Sequence, residues 1–124
     1  MSEKIRVGVV GVGYLGKFHA RIYSGMDNVE LIGIVDPNEE TAKTIAGECH
    51  CKVFDDIESL SKEIDAVSIV SPTRLHLESA TPFLQKGVHM MLEKPIAPSV
   101  EEGQKIVEMA ESNNAILQIG HLER

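Results

Sequence analysis

Residues Ile5–Gly16 read Ile-Arg-Val-Gly-Val-Val-Gly-Val-Gly-Tyr-Leu-Gly, an apolar strand that runs directly into glycines at 11, 13 and 16. A second apolar run, Val29–Val35, closes on an acid, Asp36. A strand that turns tightly into a helix aims the helix's unpaired N–H groups and positive dipole end at whatever lies above the turn, which suits a pyrophosphate. Gly11 permits the turn. A side chain at Gly13 would hold phosphates off the main chain, and one at Gly16 would push the helix off the sheet. Tyr14 and Leu15, inside the same turn, complete its cofactor-binding set. Asp36, 20 residues beyond Gly16, can accept hydrogen bonds from both adenosine ribose hydroxyls, while its charge repels the extra phosphate of NADP. The stretch Pro37-Asn38-Glu39-Glu40 carries no cation and the first to follow is Lys43, so NAD is expected in preference to NADP.

Gly11–Lys17 also fits a phosphate-loop pattern, G-x-x-x-x-G-K, which requires a hydroxyl at the next position to hold magnesium. That residue is Phe18, which cannot ligate a metal. With Leu15, His19 and Ile22 it has helical spacing and reads as a core face. Hydrolysis of a nucleoside triphosphate is not the expected chemistry.

Composition narrows the field further. A chain of 124 residues with 43% hydrophobic content can bury one core and is expected to form one domain. Nineteen acids against twelve bases give a formal charge of -7 without a basic cluster, which argues against a nucleic-acid partner. The apolar stretch near the N-terminus is short and broken by glycine, unlike a secretory signal, and no run approaches membrane-spanning length. A cytoplasmic protein with no membrane partner is expected. Cys49 and Cys51 flank His50; in a strand the thiols would share one face and the imidazole the other, so no metal site is expected and small buried or half-buried thiols are.

Strands are expected at Ile5–Val10, Val29–Val35, Lys52–Phe54, Ala66–Val70, Val88–Leu92 and Ile116–Ile119. Most are short, β-branched and apolar on both faces, as a sheet covered on both sides requires. Helices are expected at about Tyr14–Met26, Glu39–Glu48, Ile57–Glu63, Leu75–Lys86 and Val100–Ser112, the last opened by a capping box of Ser99 and Glu102. This alternation predicts an α/β fold, an open doubly wound parallel sheet of six strands in the order 3-2-1-4-5-6, with its ligand crevice at the carboxyl strand ends. Pro82 falls inside the fourth helix and predicts a kink or break near Thr81.

Three further stretches follow strands: Ser71-Pro72-Thr73-Arg74-Leu75-His76, Glu93-Lys94-Pro95 and Gln118-Ile119-Gly120-His121. Together with Gly16-Lys17-Phe18-His19-Ala20 they resemble, along the whole chain, the Gfo/Idh/MocA family of NAD(P)-dependent sugar oxidoreductases. The resemblance implies that Lys94 is catalytic, contacting the reacting hydroxyl beside the nicotinamide and helping to polarise it or relay its proton, which suits an ammonium in a partly desolvated crevice. By residue type alone Lys94 would be a solvated surface lysine. The resemblance also implies a cis Lys94–Pro95 peptide bond, with Glu93 orienting Lys94 or meeting the nicotinamide ribose. Ser71, Pro72 and Thr73 then line the cofactor's path, and Gln118 belongs to the same cofactor-binding set. His76 lies either near the nicotinamide or in a local capping or packing role, whereas His19, His50 and His89 are assigned to structure or surface. His121 stands where many relatives have an aromatic residue.

Family enzymes continue past the stretch corresponding to Gly120–Arg124 into a second α/β domain that supplies most of the substrate pocket. The resemblance therefore implies that residues 1–124 are a dinucleotide-binding domain without its substrate domain, able to bind coenzyme but not to turn over substrate. It implies, for the parent, hydride transfer between a nicotinamide and a hydroxyl-bearing carbon of a sugar, cyclitol or nucleotide-sugar, in a homo-oligomer built largely by the second domain's sheet. The terminal Gly-His-Leu-Glu-Arg points to the branch acting on nucleotide-linked amino sugars. Two other classes stay open: a non-catalytic NAD-sensing or scaffold module in which Lys94 is only a crevice cation, and a module for another adenine nucleotide such as coenzyme A.

Overall fold

A computed structural model describes residues 4–11, 16–70, 75–93 and 99–120. Strands and helices alternate as β1 (Ile5–Val10), α1 (Gly16–Ser24), β2 (Val29–Val35), α2 (Glu39–Cys49), β3 (Lys52–Val53), α3 (Ile57–Ser61), β4 (Ala66–Ile69), α4 (His76–Gln85), β5 (His89–Glu93), α5 (Val100–Ser112) and β6 (Leu117–Gly120). The strands form one six-stranded sheet in the order β3-β2-β1-β4-β5-β6, with every pairing parallel. This is the expected order. Connections leave β1 toward one edge and β4 toward the other, so the crevice of a doubly wound sheet opens between their carboxyl ends.

The two faces of the sheet carry separate cores. Phe83, Leu84, Leu60 and Ile106, from α3, α4 and α5, pack against Ile69 and Leu92 of the sheet on one face. Ala20, Ala42 and Ile45, from α1 and α2, pack against Val9 and Ile34 on the other. Each large side chain among them contributes about 1.5–3 kcal/mol by leaving water. Gly33 in β2 is required by packing: a Cβ there would lie 2.2 Å from the Phe54 ring and 3.0 Å from the Lys52 carbonyl oxygen.

Several expectations change in detail. Helix α4 runs unbroken through Pro82, so no break occurs at Thr81. The Thr81 hydroxyl donates to the Leu77 carbonyl at 2.7 Å, and burial of Phe83 and Leu84 one turn on holds the helix against the sheet. The Pro82 ring removes only the bond to Glu78, whose exposed position lets water satisfy the carbonyl. The strand expected from Val88 starts at His89 because the Val88 N–H is taken by Phe83 O at 3.0 Å, closing a Schellman end around Gly87 at φ 74°. Helix α5 is capped as expected, Ser99 Oγ accepting the Glu102 N–H at 3.2 Å.

The core face assigned to α1 is also corrected. Phe18 and Ile22 are 44% and 63% exposed, whereas His19, Ala20 and, partly, Tyr23 face the sheet. The helix is rotated so that the Tyr23 hydroxyl meets Ser68 Oγ on β4 at 2.5 Å and Arg21 reaches Glu48 of α2 at 2.9 Å. Nor do Cys49, His50 and Cys51 form a strand. Cys49 ends α2 and His50 adopts the left-handed conformation at φ 58°, with the Cys51 N–H returning to Ala46 O at 3.0 Å.

Candidate functional site

The site begins where β1, β2 and β4 end together. Val10 is in register with Val35 on one side and Ile69 on the other. Beyond it, the Gly11 N–H donates to Val35 O at 2.8 Å and the Val70 N–H to Val10 O at 2.8 Å, carrying the ladder one residue past the strand. Gly11 has φ 89°, a conformation that L side chains rarely adopt, so the chain can bend away from the sheet here because the residue has no Cβ. Helix α1 begins at Gly16, the position expected for the third glycine.

The same Val35 carbonyl that holds Gly11 immediately precedes Asp36. The acid thus stands beside the glycine turn at the end of the neighbouring strand, half-buried. Its Oδ1 accepts the Asn38 N–H at 2.8 Å in an Asx-type turn. Asn38 is in turn the N-cap of α2: its side-chain oxygen accepts the Thr41 N–H at 3.0 Å and its carbonyl accepts the Ala42 N–H at 3.0 Å. Glu39 and Glu40 occupy the first turn of that helix, where acids oppose the positive dipole end, and Lys43 is exposed beyond them.

On the other side of the crevice, β5 ends at Glu93, paired with Gly120 of β6. Asp36 follows β2 and Glu93 closes β5, three strand spacings apart in the sheet order, roughly 14 Å. Gly13, Tyr14, Leu15, Ser71, Pro72, Thr73, Lys94, the Lys94–Pro95 bond and His121 lie outside the described residues. His76 is described: it is the first residue of α4 and only 1% exposed. Gln118 is exposed on β6 and lines an open, mainly apolar groove of about 270 Å³ with Ile5, Tyr23, Ala66 and Met91. Ile5 and Ala66 open their strands, so this groove lies toward the amino ends of the sheet and does not bring Gln118 to Gly11 and Asp36.

The structural histidines and thiols keep their expected roles. His19 is buried with its ring at 72° to that of Tyr23, and His89 Nδ1 accepts the Ile116 N–H at 2.9 Å. Both cysteines are free thiols, Cys49 buried and Cys51 half-buried. Burial, and secondarily the neighbouring Cys49, pushes the Cys51 thiol up to about 11, which makes it a poor nucleophile or ligand near neutrality. Among the described residues no three acids, cysteines or histidines cluster in a way that could hold a metal, and no helix is long and apolar enough to cross a membrane.

Sequence reasoning missed Asn38 as the clamp on Asp36. Its signal was available: an asparagine after Pro37, directly ahead of two acids, is an N-cap pattern.

The geometry has close counterparts among known proteins. The chain is 42% identical over 120 residues to the UDP-N-acetylglucosamine 3-dehydrogenase of Acidithiobacillus ferrooxidans, covering 97% of this chain and 38% of that protein. A solved structure of that dehydrogenase superposes with a TM-score of 0.91 at 41% identity, over 97% of this chain and 39% of the other. The inositol 2-dehydrogenase of Rhizobium meliloti is 33% identical over 122 residues, covering 97% of this chain and 37% of that protein. The chain thus spans under two fifths of the length of these relatives. Residues 5–121 match the oxidoreductase family described by its NAD-binding Rossmann fold. With that match, the parallel sheet and the glycine turn beside Asp36, the chain belongs to the Gfo/Idh/MocA oxidoreductase family.

Proposed function

We propose that this chain supplies the coenzyme half of a dehydrogenase, binding NAD in preference to NADP and presenting its nicotinamide to a substrate hydroxyl. The observation that carries this reading is the juxtaposition of Gly11, at φ 89°, with Asp36 through the shared Val35 carbonyl. Main-chain N–H groups and the start of α1 favour the pyrophosphate, and the Asp36 carboxylate favours two ribose hydroxyls over a phosphate. Glu39 and Glu40 behind it add negative potential at the same end, which supports NAD over NADP. NAD supplies the hydride-accepting ring. Toward it, Gly13, Tyr14, Leu15 and Gly16 grip the diphosphate, while Ser71, Pro72, Thr73 and His76 flank the path to the nicotinamide; Gln118, in the groove toward the amino ends of the sheet, takes no part. Lys94, one residue beyond the end of β5, holds the substrate oxygen and moves its proton, with Glu93 beside it.

The substrate class we propose is a sugar, cyclitol or nucleotide-sugar, and the 42% identity to an enzyme named for a nucleotide-linked amino sugar favours the last. The substrate pocket and the proton acceptor are proposed for residues outside these 124, with cytoplasmic operation and homo-oligomeric assembly of the whole protein. Calorimetric titration of the chain with NAD, NADP and coenzyme A tests the binding half. NAD is expected to bind at least tenfold more tightly than either; equal affinity for NAD and NADP would refute the role given to Asp36, and preference for coenzyme A would replace the dehydrogenase reading altogether.

A further inference from the structure

Resting on the reading that Asp36 meets the adenosine ribose, we infer that Asn38 is a positioning residue whose backbone N–H fixes the Asp36 carboxylate and thereby sets how strongly the site favours NAD over NADP. An ionised carboxylate offers about four acceptor positions and turns readily about its own bonds when nothing restrains it. Here one position of Oδ1 is taken by the Asn38 N–H at 2.8 Å. That donor is itself immobilised. Asn38 has φ −90° and ψ 102°, its side chain is bonded to the Thr41 N–H, and its carbonyl is bonded to the Ala42 N–H. Ala42, Ile45 and Ala46 bury the same helix against the sheet. The donor that orients Asp36 is therefore anchored through its own cap bonds to a packed helix, α2, although Asn38 itself is exposed. A carboxylate held in place before the ligand arrives loses less freedom on binding, and the gain goes to the ligand that presents two hydroxyls. NADP meets chiefly the charge of Asp36, which depends little on its orientation, so positioning tightens NAD selectively.

Two substitutions at one position separate this role from simple capping. Asn38→Ala removes the side-chain cap and keeps the N–H; Asn38→Pro removes both, and the observed φ lies near the value proline imposes. Both variants are expected to melt lower than the parent by similar amounts, and Asn38→Ser to recover most of that loss through its own cap. Only Asn38→Pro is expected to bind NAD about tenfold more weakly, with NADP affinity nearly unchanged, as suits the loss of a hydrogen bond to a charged group. Calorimetry with both coenzymes reads the ratio. A parent that prefers NAD, with an Asn38→Pro variant that keeps the preference, overturns the inference alone; a parent with no preference overturns the reading of Asp36 and this inference with it. If Asn38→Pro does not fold, solvent exchange of the Asn38 amide decides. Exchange at least about tenfold faster in Asp36→Ala than in the parent supports the clamp, and equal rates overturn it.

Discussion

Replacing Asp36 by Ala should reverse the coenzyme preference without unfolding the protein. The carboxylate is proposed to accept two ribose hydroxyls, and each hydrogen bond to a charged group contributes about 1.5–3 kcal/mol, so NAD affinity should fall roughly 10- to 150-fold for each bond that water does not replace. For NADP the change runs the other way. A ribose phosphate carrying about 1.7 negative charges at roughly 5 Å from the carboxylate is repelled by about 1.4 kcal/mol even in the dielectric of water, so its removal should tighten NADP about tenfold. The ratio of the two affinities should therefore move by on the order of 100-fold or more. Stability should hardly change. The bond that the Asn38 N–H loses is at an exposed residue, so water replaces Oδ1 there. Isothermal titration at low and at moderate salt, paired with a thermal melt, measures all three quantities. The NADP gain should shrink as salt rises, because it is electrostatic. An affinity ratio unchanged in Asp36→Ala, with an intact melt, would refute the assignment.

Three other outcomes concern the scaffold. Gly33→Ala should lower stability by about 1–3 kcal/mol, since the new methyl group would lie 2.2 Å from the Phe54 ring; denaturant unfolding measures it, and a neutral result would mean that the ring and the Lys52 backbone yield freely. The backbone N–H and hydroxyl of Ser59 hold the Asp56 carboxyl below its ordinary 3.8, and the Lys86 ammonium holds that of Glu58 below 4.5. Because both folded values are depressed, their stabilisation is present above the unfolded values and is lost as pH falls through the folded ones. The melting temperature should decline as pH drops below about 4.5, and less steeply in Asp56→Ala than in the parent. Cys51, raised to about 11, should react slowly with iodoacetamide at pH 8 and faster as pH climbs; rapid labelling at neutral pH would contradict its burial.

What was legible in the sequence was whatever repeats or stands at fixed spacing. Gly11, Gly16 and Asp36 mark strand, turn, helix and strand by their positions alone, because a backbone that bends at φ 89° and an acid at a strand end are local requirements. Alternating apolar runs likewise gave the sheet and its order, since parallel strands need crossovers of one hand. Side-chain partners across elements were not legible. The rotation of α1 that exposes Phe18 and Ile22 depends on Tyr23 meeting Ser68, 45 residues away in sequence. The end of α2 was legible to within one residue, but its left-handed cap at His50 was not, because the residue there is not glycine.

By itself, then, the sequence determined the succession of elements, the glycine turn and the acid that faces it, because each follows from chain stiffness, apolar period and the missing Cβ of glycine. Only the tertiary structure decided that Pro82 is carried inside an intact helix and that Gln118 sits apart on the sheet face. Those outcomes depend on which groups meet when distant segments pack, and on whether the burial gained there exceeds a local penalty.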